Sequence, residues 1–291
     1  MPEEIKQLVE EYRDGLISRR EFIQKVVVLT GSLAAATNLI ACAVGANGES
    51  GAAQPDDPAL ASTNVQFKGP AGTIYGYQTK PKAAGKYPAV IVVHENQGIN
   101  DHIRDVARRF AKEGYLALVP DYLSRGGGTD KVNPKGEGLS NMRELAPTSA
   151  TAEDTGAAVA YLKTLSDVRG DRVGIVGFCW GGETAFNAAT QVRGLRGVVV
   201  YYGRTPNPAE LVQKIEAPVL AHYGSEDKGI TGGVPATEAA MKKYNKPYVY
   251  TIYPGAGHAF NNNTDPSRYN AAAAKEAWGK TVEFFKKNLQ S

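Results

Sequence analysis

From about residue 64 onward, hydrophobic positions fall into two alternating rhythms. Short unbroken runs, such as Ala89-Val90-Ile91-Val92-Val93 and Gly197-Val198-Val199-Val200-Tyr201-Tyr202, have no polar face. Runs of that kind mark strands buried on both sides. Between them the apolar spacing becomes helical. Ile103, Val106, Ala107 and Phe110 share one face of a predicted helix over 103–113, which Gly114 stops. Leu116-Ala117-Leu118-Val119 predicts the next strand, ending at Pro120-Asp121. An Ala-rich helix over 151–165 leads to the strand Val173-Gly174-Ile175-Val176. Strands over 219–223 and 248–253 follow, with helical segments between them and a last helix over roughly 271–289. Segments 64–67 and 72–78 read as a β-hairpin with a Gly-Pro turn. This alternation predicts an α/β fold with a mainly parallel central sheet and helices on both faces. Ligands of such sheets bind at the carboxyl ends of strands, so functional residues are expected there.

Before residue 64 the pattern is different. Ser18-Arg19-Arg20-Glu21-Phe22-Ile23-Gln24-Lys25 resembles a twin-arginine export signal. The apolar region after it, 26–41, is short and rich in small residues, unlike a membrane span. Leu39-Ile40-Ala41 ahead of Cys42 matches a lipobox, which makes Cys42 a candidate lipidation site; Ala41-Cys42-Ala43 equally fits an ordinary small-x-small cleavage site. Residues 45–58 are rich in Gly, Pro and Asp, the composition of a flexible tether. The expected organisation is a signal segment over 1–41, a linker over 42–62 and one α/β domain over 63–291. The expected location is periplasmic or anchored outside the cytoplasm, with the twin-arginine machinery as a partner. The alternative is a cytoplasmic protein whose polar stretch 3–20 forms an amphipathic helix.

Composition narrows the function. The 291 residues are 42% hydrophobic and 22% charged, ordinary for a globular chain. A net charge of +3, with Lys and Arg scattered among acids, gives no basic stripe for nucleic acid. Without residues 1–41 the balance is 28 basic against 24 acidic residues, or +4. Neither of the two cysteines, Cys42 and Cys179, sits in a Cys-x-x-Cys pair, which disfavours a zinc site or a dithiol centre. A monomer is expected.

The chemistry concentrates after strands. Gly177-Phe178-Cys179-Trp180-Gly181-Gly182 follows the strand ending at Val176 and precedes a helix-like stretch over 183–189. A nucleophile on a sharp strand-to-helix turn needs small residues two before and two after it. The usual serine is a cysteine here, and a helix N-terminus favours its thiolate. The plainer reading is a buried cysteine acting as a small hydrophobe. Asp227 follows the strand over 219–223 and His258 the strand over 248–253, giving the chain order Cys, Asp, His. Glu226 competes with Asp227 as the acid. Of the other histidines, His94 ends a strand and could line the site, His102 reads as a capping or surface residue, and His222 as a core residue. Glu95 follows His94 at a strand end; its plainer reading is a carboxylate capping the helix near Asp101. The backbone N–H groups of Asn96 and Trp180 are candidates for an oxyanion hole.

Five motifs in order resemble the dienelactone hydrolase family of α/β-hydrolases: His-Glu-Asn-Gln-Gly-Ile-Asn at 94–100, Gly-Tyr-Leu-Ala-Leu-Val-Pro-Asp at 114–121, Gly-Phe-Cys-Trp-Gly-Gly at 177–182, Gly-Ser-Glu-Asp at 224–227 and Gly-Ala-Gly-His-Ala-Phe at 255–260. The resemblance implies an enol-lactone hydrolase (carboxymethylenebutenolidase activity) with Cys179 as nucleophile, His258 as base and Asp227 orienting it. It implies Glu95 as the carboxylate that helps activate the thiol, Asn96 and Trp180 as oxyanion-hole amides, and no metal or organic cofactor. The substrate would be a small lactone or activated ester. The chain departs from the family at Asn262, where an arginine four residues after the histidine would hold a substrate carboxylate. Arg143 or Arg125 could supply a cation, and Asn262 itself lines the expected subsite. The alternatives are a broader esterase, thioesterase or peptidase on the same three residues, or a tethered binding protein without turnover.

Overall fold

In the computed structural model, which describes residues 2–13, 17, 19–31 and 53–291, the unbroken apolar runs lie side by side in one eight-stranded sheet. Its strands are β1 (Leu60–Gly69), β2 (Gly72–Pro81), β3 (Tyr87–Val93), β4 (Leu116–Pro120), β5 (Val168–Phe178), β6 (Leu195–Tyr201), β7 (Val219–Gly224) and β8 (Tyr248–Tyr253). The spatial order is β1-β2-β4-β3-β5-β6-β7-β8. The β1–β2 hairpin and the β2–β4 pair are antiparallel; every other pair is parallel. Helical crossovers make this parallel half possible, because parallel neighbours cannot be joined by a tight turn.

The side-chain alternation of β3 shows why the run carries no polar residue. Val90 and Val92 enter one core with Ile103, Val106 and Phe110, while Ala89, Ile91 and Val93 enter the other with Ala158, Leu162 and Phe186. Each fully buried side chain of this size contributes about 1.5–3 kcal/mol. The first core lies under α3 (Asp101–Lys112) and α7 (Ala271–Phe285), the second under α4 (Thr148–Thr164), α5 (Trp180–Ala189) and α6 (Val234–Lys243). Helix α3 begins two residues before the predicted start because the Asn100 side chain accepts from Ile103 N–H at 3.0 Å and caps it. Helix α7 gives way to a π-helical turn over Lys286–Gln290 instead of running on to 289.

At the N-terminus, α1 (Glu3–Arg13) and α2 (Arg19–Thr30) bury Ile5, Leu8, Phe22 and Val26. The expected single polar helix over 3–20 is thus two helices, and the twin-arginine motif falls at the start of α2. Cys42, its lipobox and most of the apolar region 26–41 lie outside the described residues. Among the described residues no helix is long and apolar enough to cross a membrane.

The tether expected over 42–62 is not free along its whole length. Ala53 is buried; its N–H donates to Asp105 Oδ1 at 2.6 Å, and its carbonyl accepts from Arg108 Nε at 2.8 Å. Lys112 reaches Asp57 at 3.5 Å, and β1 starts at Leu60. Two charged side chains of α3 therefore satisfy both main-chain groups of one residue, a contact across some fifty positions that linker composition does not reveal.

Candidate active site

The carboxyl ends of β3, β5, β6, β7 and β8 converge, and the sequence-predicted residues converge with them. Cys179 sits between β5 and α5 at φ +56° and ψ −117°, a backbone region that L-residues avoid. The turn is held by close backbone approach. A Cβ on Gly177 would lie 1.9 Å from the Gly181 carbonyl oxygen, and one on Gly181 would lie 2.4 Å from the His94 carbonyl oxygen. Glycine is required at both positions on packing grounds alone. Cys179 N–H donates to the Tyr201 carbonyl at 3.1 Å, which ties the turn to β6.

His258 Nε2 lies 3.0 Å from Cys179 Sγ, and His258 Nδ1 lies 2.5 Å from Asp227 Oδ2. With Asp227 accepting from Nδ1–H, Nε2 is left as the acceptor for the thiol proton. Glu226 turns outward and accepts from Ser225 Oγ at 2.9 Å, so of the two adjacent acids only Asp227 meets the imidazole. Cys179 can thus pass its proton to a ring whose tautomer and positive charge the carboxylate supports.

The thiolate expectation needs correction. The Trp180 N–H at the start of α5 does favour the thiolate, but burial outweighs it, and the negative charges of Glu95 and Asp227 add to burial. The Cys179 thiol is pushed up to about 11. Burial thus favours the thiol form of Cys179, within hydrogen-bond reach of His258 Nε2.

Glu95 does not cap α3; Asn100 does. Its side chain is buried, with Oε2 accepting from Asn262 Nδ2 at 3.1 Å. Burial pushes its carboxyl up to about 7, against the smaller opposing effects of the Asn262 hydrogen bond and of Arg268. Asn262 is therefore at the site, but as a partner of Glu95. Asn96 is fixed on both sides of its peptide neighbourhood: its carbonyl accepts from Leu139 N–H at 3.0 Å and its Nδ2 donates to the Leu139 carbonyl at 3.3 Å. The loop carrying the Asn96 amide is thus braced against Leu139.

His94 is a structural element of this braced loop. It is buried, and its Nε2 accepts from Tyr122 N–H at 3.2 Å. Its Nδ1–H is then the donor to the Glu95 carbonyl at 2.7 Å. The ring stacks on Trp180 at 5.5 Å, and burial lowers its proton affinity. His222 is a core residue, bonded to the Tyr253 and Thr281 hydroxyls at 3.0 Å each. His102 is neither a cap nor on the surface. It is buried beneath the loop after His258, with Nδ1 3.3 Å from Asn263 Oδ1. That cover comes from 161 residues away, so local pattern gave no sign of it.

Of the candidate cations, Arg125 is turned to α4, where it pairs with Asp154 at 2.9 Å. Arg143 pairs with Glu183, in the first turn of α5, at 2.7 Å, and its charge is felt at Cys179. Sequence reasoning missed Arg268. It lies in the loop after His258, pairs with Asp265 at 3.3 Å, is more than half exposed, and its charge acts on both Glu95 and Cys179. No motif marks it; its one signal is that a cation follows the histidine on the same loop. Among the described residues no group of three or more His, Cys, Asp or Glu is placed to hold a metal ion.

The model of the dienelactone hydrolase family matches residues 74–289. The chain belongs to the dienelactone hydrolase family. A Methylorubrum extorquens protein assigned as a carboxymethylenebutenolidase is 33% identical over 225 residues, spanning 74% of this chain and 77% of that one. A Bradyrhizobium protein assigned as a 2-oxo-3-(5-oxofuran-2-ylidene)propanoate lactonase is 36% identical over 223 residues, 73% of this chain and 89% of its own. The crystal structure of a Klebsiella pneumoniae protein assigned as a dienelactone hydrolase superposes with a TM-score of 0.72 at 27% identity, over 79% of this chain and 99% of that one. The chain is a dienelactone-hydrolase-like hydrolase with the α/β-hydrolase architecture of that family.

Proposed function

We propose that this enzyme opens an enol-lactone, or cleaves a small activated ester, through a covalent acyl-cysteine intermediate. The observation that carries the reading is the unbroken line from Cys179 Sγ to His258 Nε2 at 3.0 Å and from His258 Nδ1 to Asp227 Oδ2 at 2.5 Å. Cys179 attacks the carbonyl as its proton passes to His258. Glu95, poised between its charged and neutral forms near pH 7, stands beside the thiol as a second proton acceptor. The tetrahedral oxyanion accepts from the backbone N–H groups of Trp180 and Asn96, each donor contributing about 2.7–4 kcal/mol. The enolate takes that proton from His258 as it leaves, and water activated by the freed imidazole then releases the acid from Cys179. The protonated resting thiol supports selectivity for good leaving groups, because a weak nucleophile needs the enolate to depart readily.

Asn262 cannot form a bidentate pair with a carboxylate. Arg268 and Arg143, which both interact electrostatically with Cys179, supply the positive charge toward an anionic substrate. In the same reading the protein is exported through its twin-arginine-like segment, 18–25, and held outside the cytoplasm by the N-terminal region that contains Cys42.

A substrate panel tests the reading. Enol-lactones and enol esters should turn over far faster than alkyl esters, and Cys179→Ala should abolish both rates. Equal turnover of alkyl esters would refute the substrate class. Arg268→Ala should raise KM for carboxylate-bearing substrates far more than for neutral esters; equal effects on both would remove Arg268 from substrate recognition.

A further inference from the structure

Several buried polar atoms around Glu95 lack partners. Glu95 Oε1 makes no hydrogen bond, and neither do the Tyr202 hydroxyl or the two side-chain amide atoms of Asn261. Buried polar groups in native folds are almost always paired, with protein or with ordered water, because an unpaired one costs about 1–3 kcal/mol. These groups come from three separate elements: the end of β3, the residue after β6 and the loop after His258. Two of them line the active site: Tyr202 beside the His258 ring and Glu95 beside Asn262.

Tyr202 is built into position. It is fully buried at φ +38°, and its N–H donates to the His222 carbonyl at 2.8 Å. Its ring lies 5.3 Å from the His258 ring and 5.3 Å from the Phe260 ring. Its hydroxyl lies near the Asn261 main chain without ordinary hydrogen-bond geometry, and it interacts electrostatically with Glu95 and, more weakly, with Cys179. The neighbouring Asn262 already holds the other Glu95 oxygen. The surrounding rings of Phe178, Tyr201 and Phe260 offer that hydroxyl nothing to bond.

We propose that the Tyr202 hydroxyl and the free Oε1 of Glu95 hold one water molecule between them, making Tyr202 a positioning residue that stabilises Glu95 as a carboxylate beside Cys179. A water with two or more polar partners is the ordinary way a protein satisfies such a pair. The other groups facing Glu95 are the Asn262 amide, the Cys179 thiol, the Arg268 guanidinium and the Asp265 carboxylate. None of these reaches Oε1, so the hydrogen bond through the water is the one Tyr202 controls. The inference rests on the reading of Glu95 as the carboxylate that serves the thiol.

Difference infrared spectroscopy of the full chain tests it. The carboxylic C=O band that disappears in Glu95→Gln reports the ionisation of Glu95 directly. Its midpoint is expected near 7 in the wild type. In Tyr202→Phe, which keeps the ring packing, the midpoint should rise by about one pH unit, since the charged form loses a hydrogen bond. 3-Fluorotyrosine in place of Tyr202, a stronger donor, should lower it. The acid limb of kcat/KM should follow each shift. An unmoved band in a Tyr202→Phe protein of native circular dichroism overturns the proposal. A moved band with an unmoved acid limb supports the hydrogen-bond link from Tyr202 to Glu95 and removes Glu95 from thiol activation.

Discussion

Replacing Glu95 with glutamine should make the protein more stable in alkaline solution and less active. Glu95 is buried, and its carboxyl titrates at about 7 in the fold against an ordinary value of 4.5. The folded chain therefore binds this proton more tightly than the unfolded chain. That contribution to stability is complete below about pH 4.5 and is lost as pH rises through about 7. Near pH 8 the gap of about 2.5 pH units corresponds to about 3 kcal/mol of destabilisation; near pH 5 it is below about 1 kcal/mol. Glutamine has the same shape, and its amide oxygen can accept the same bond from Asn262 Nδ2. Urea unfolding of both proteins at these two pH values measures the difference. The variant should gain about 2.5 kcal/mol on the wild type between them. A stability difference that does not change with pH would refute the claim that the fold pushes this carboxyl toward neutrality.

Other outcomes follow from the same geometry. Iodoacetamide should alkylate Cys179 slowly near pH 7 and faster with each pH increment toward about 11, the value to which burial pushes the thiol; a fast neutral reaction would mean a resting thiolate. Asp227→Asn should lower kcat by roughly 10³–10⁴-fold by favouring the wrong imidazole tautomer, with little change in KM, read from steady-state kinetics. Gly177→Ala should fail to fold or lose the turn entirely, because its Cβ would sit 1.9 Å from a backbone oxygen; a soluble variant with native thermal stability would contradict the close packing. Asp105→Ala should release Ala53 from α3, seen as new protease cleavage near residue 53 without loss of ester hydrolysis.

The sheet and the three residues Cys179, Asp227 and His258 were legible because each depends on local pattern. Buried parallel strands show as unbroken apolar runs, and strand ends fix where side chains can meet. The glycines around Cys179 have a short-range cause that a motif captures. What the sequence hid depends on contacts between distant segments. His102 is buried between Phe178 and the loop carrying Asn263, which reaches it from 161 residues away. Ala53 is ordered only because Asp105 and Arg108 receive it. Arg268 stands at the site because the path of the loop after His258 returns it there, and no spacing rule encodes that path. The thiol was misjudged for a related reason. A helix N-terminus is visible in sequence, whereas the burial and neighbouring carboxylates that oppose it appear only in three dimensions.

The most direct test of the account is mass spectrometry of the intact protein, quenched in acid during turnover of an enol ester. The account predicts a mass increase equal to the acyl group, located on the peptide containing Cys179 and absent from Cys179→Ala. Turnover in Cys179→Ala at the wild-type rate, or an acyl group on any other residue, would contradict it.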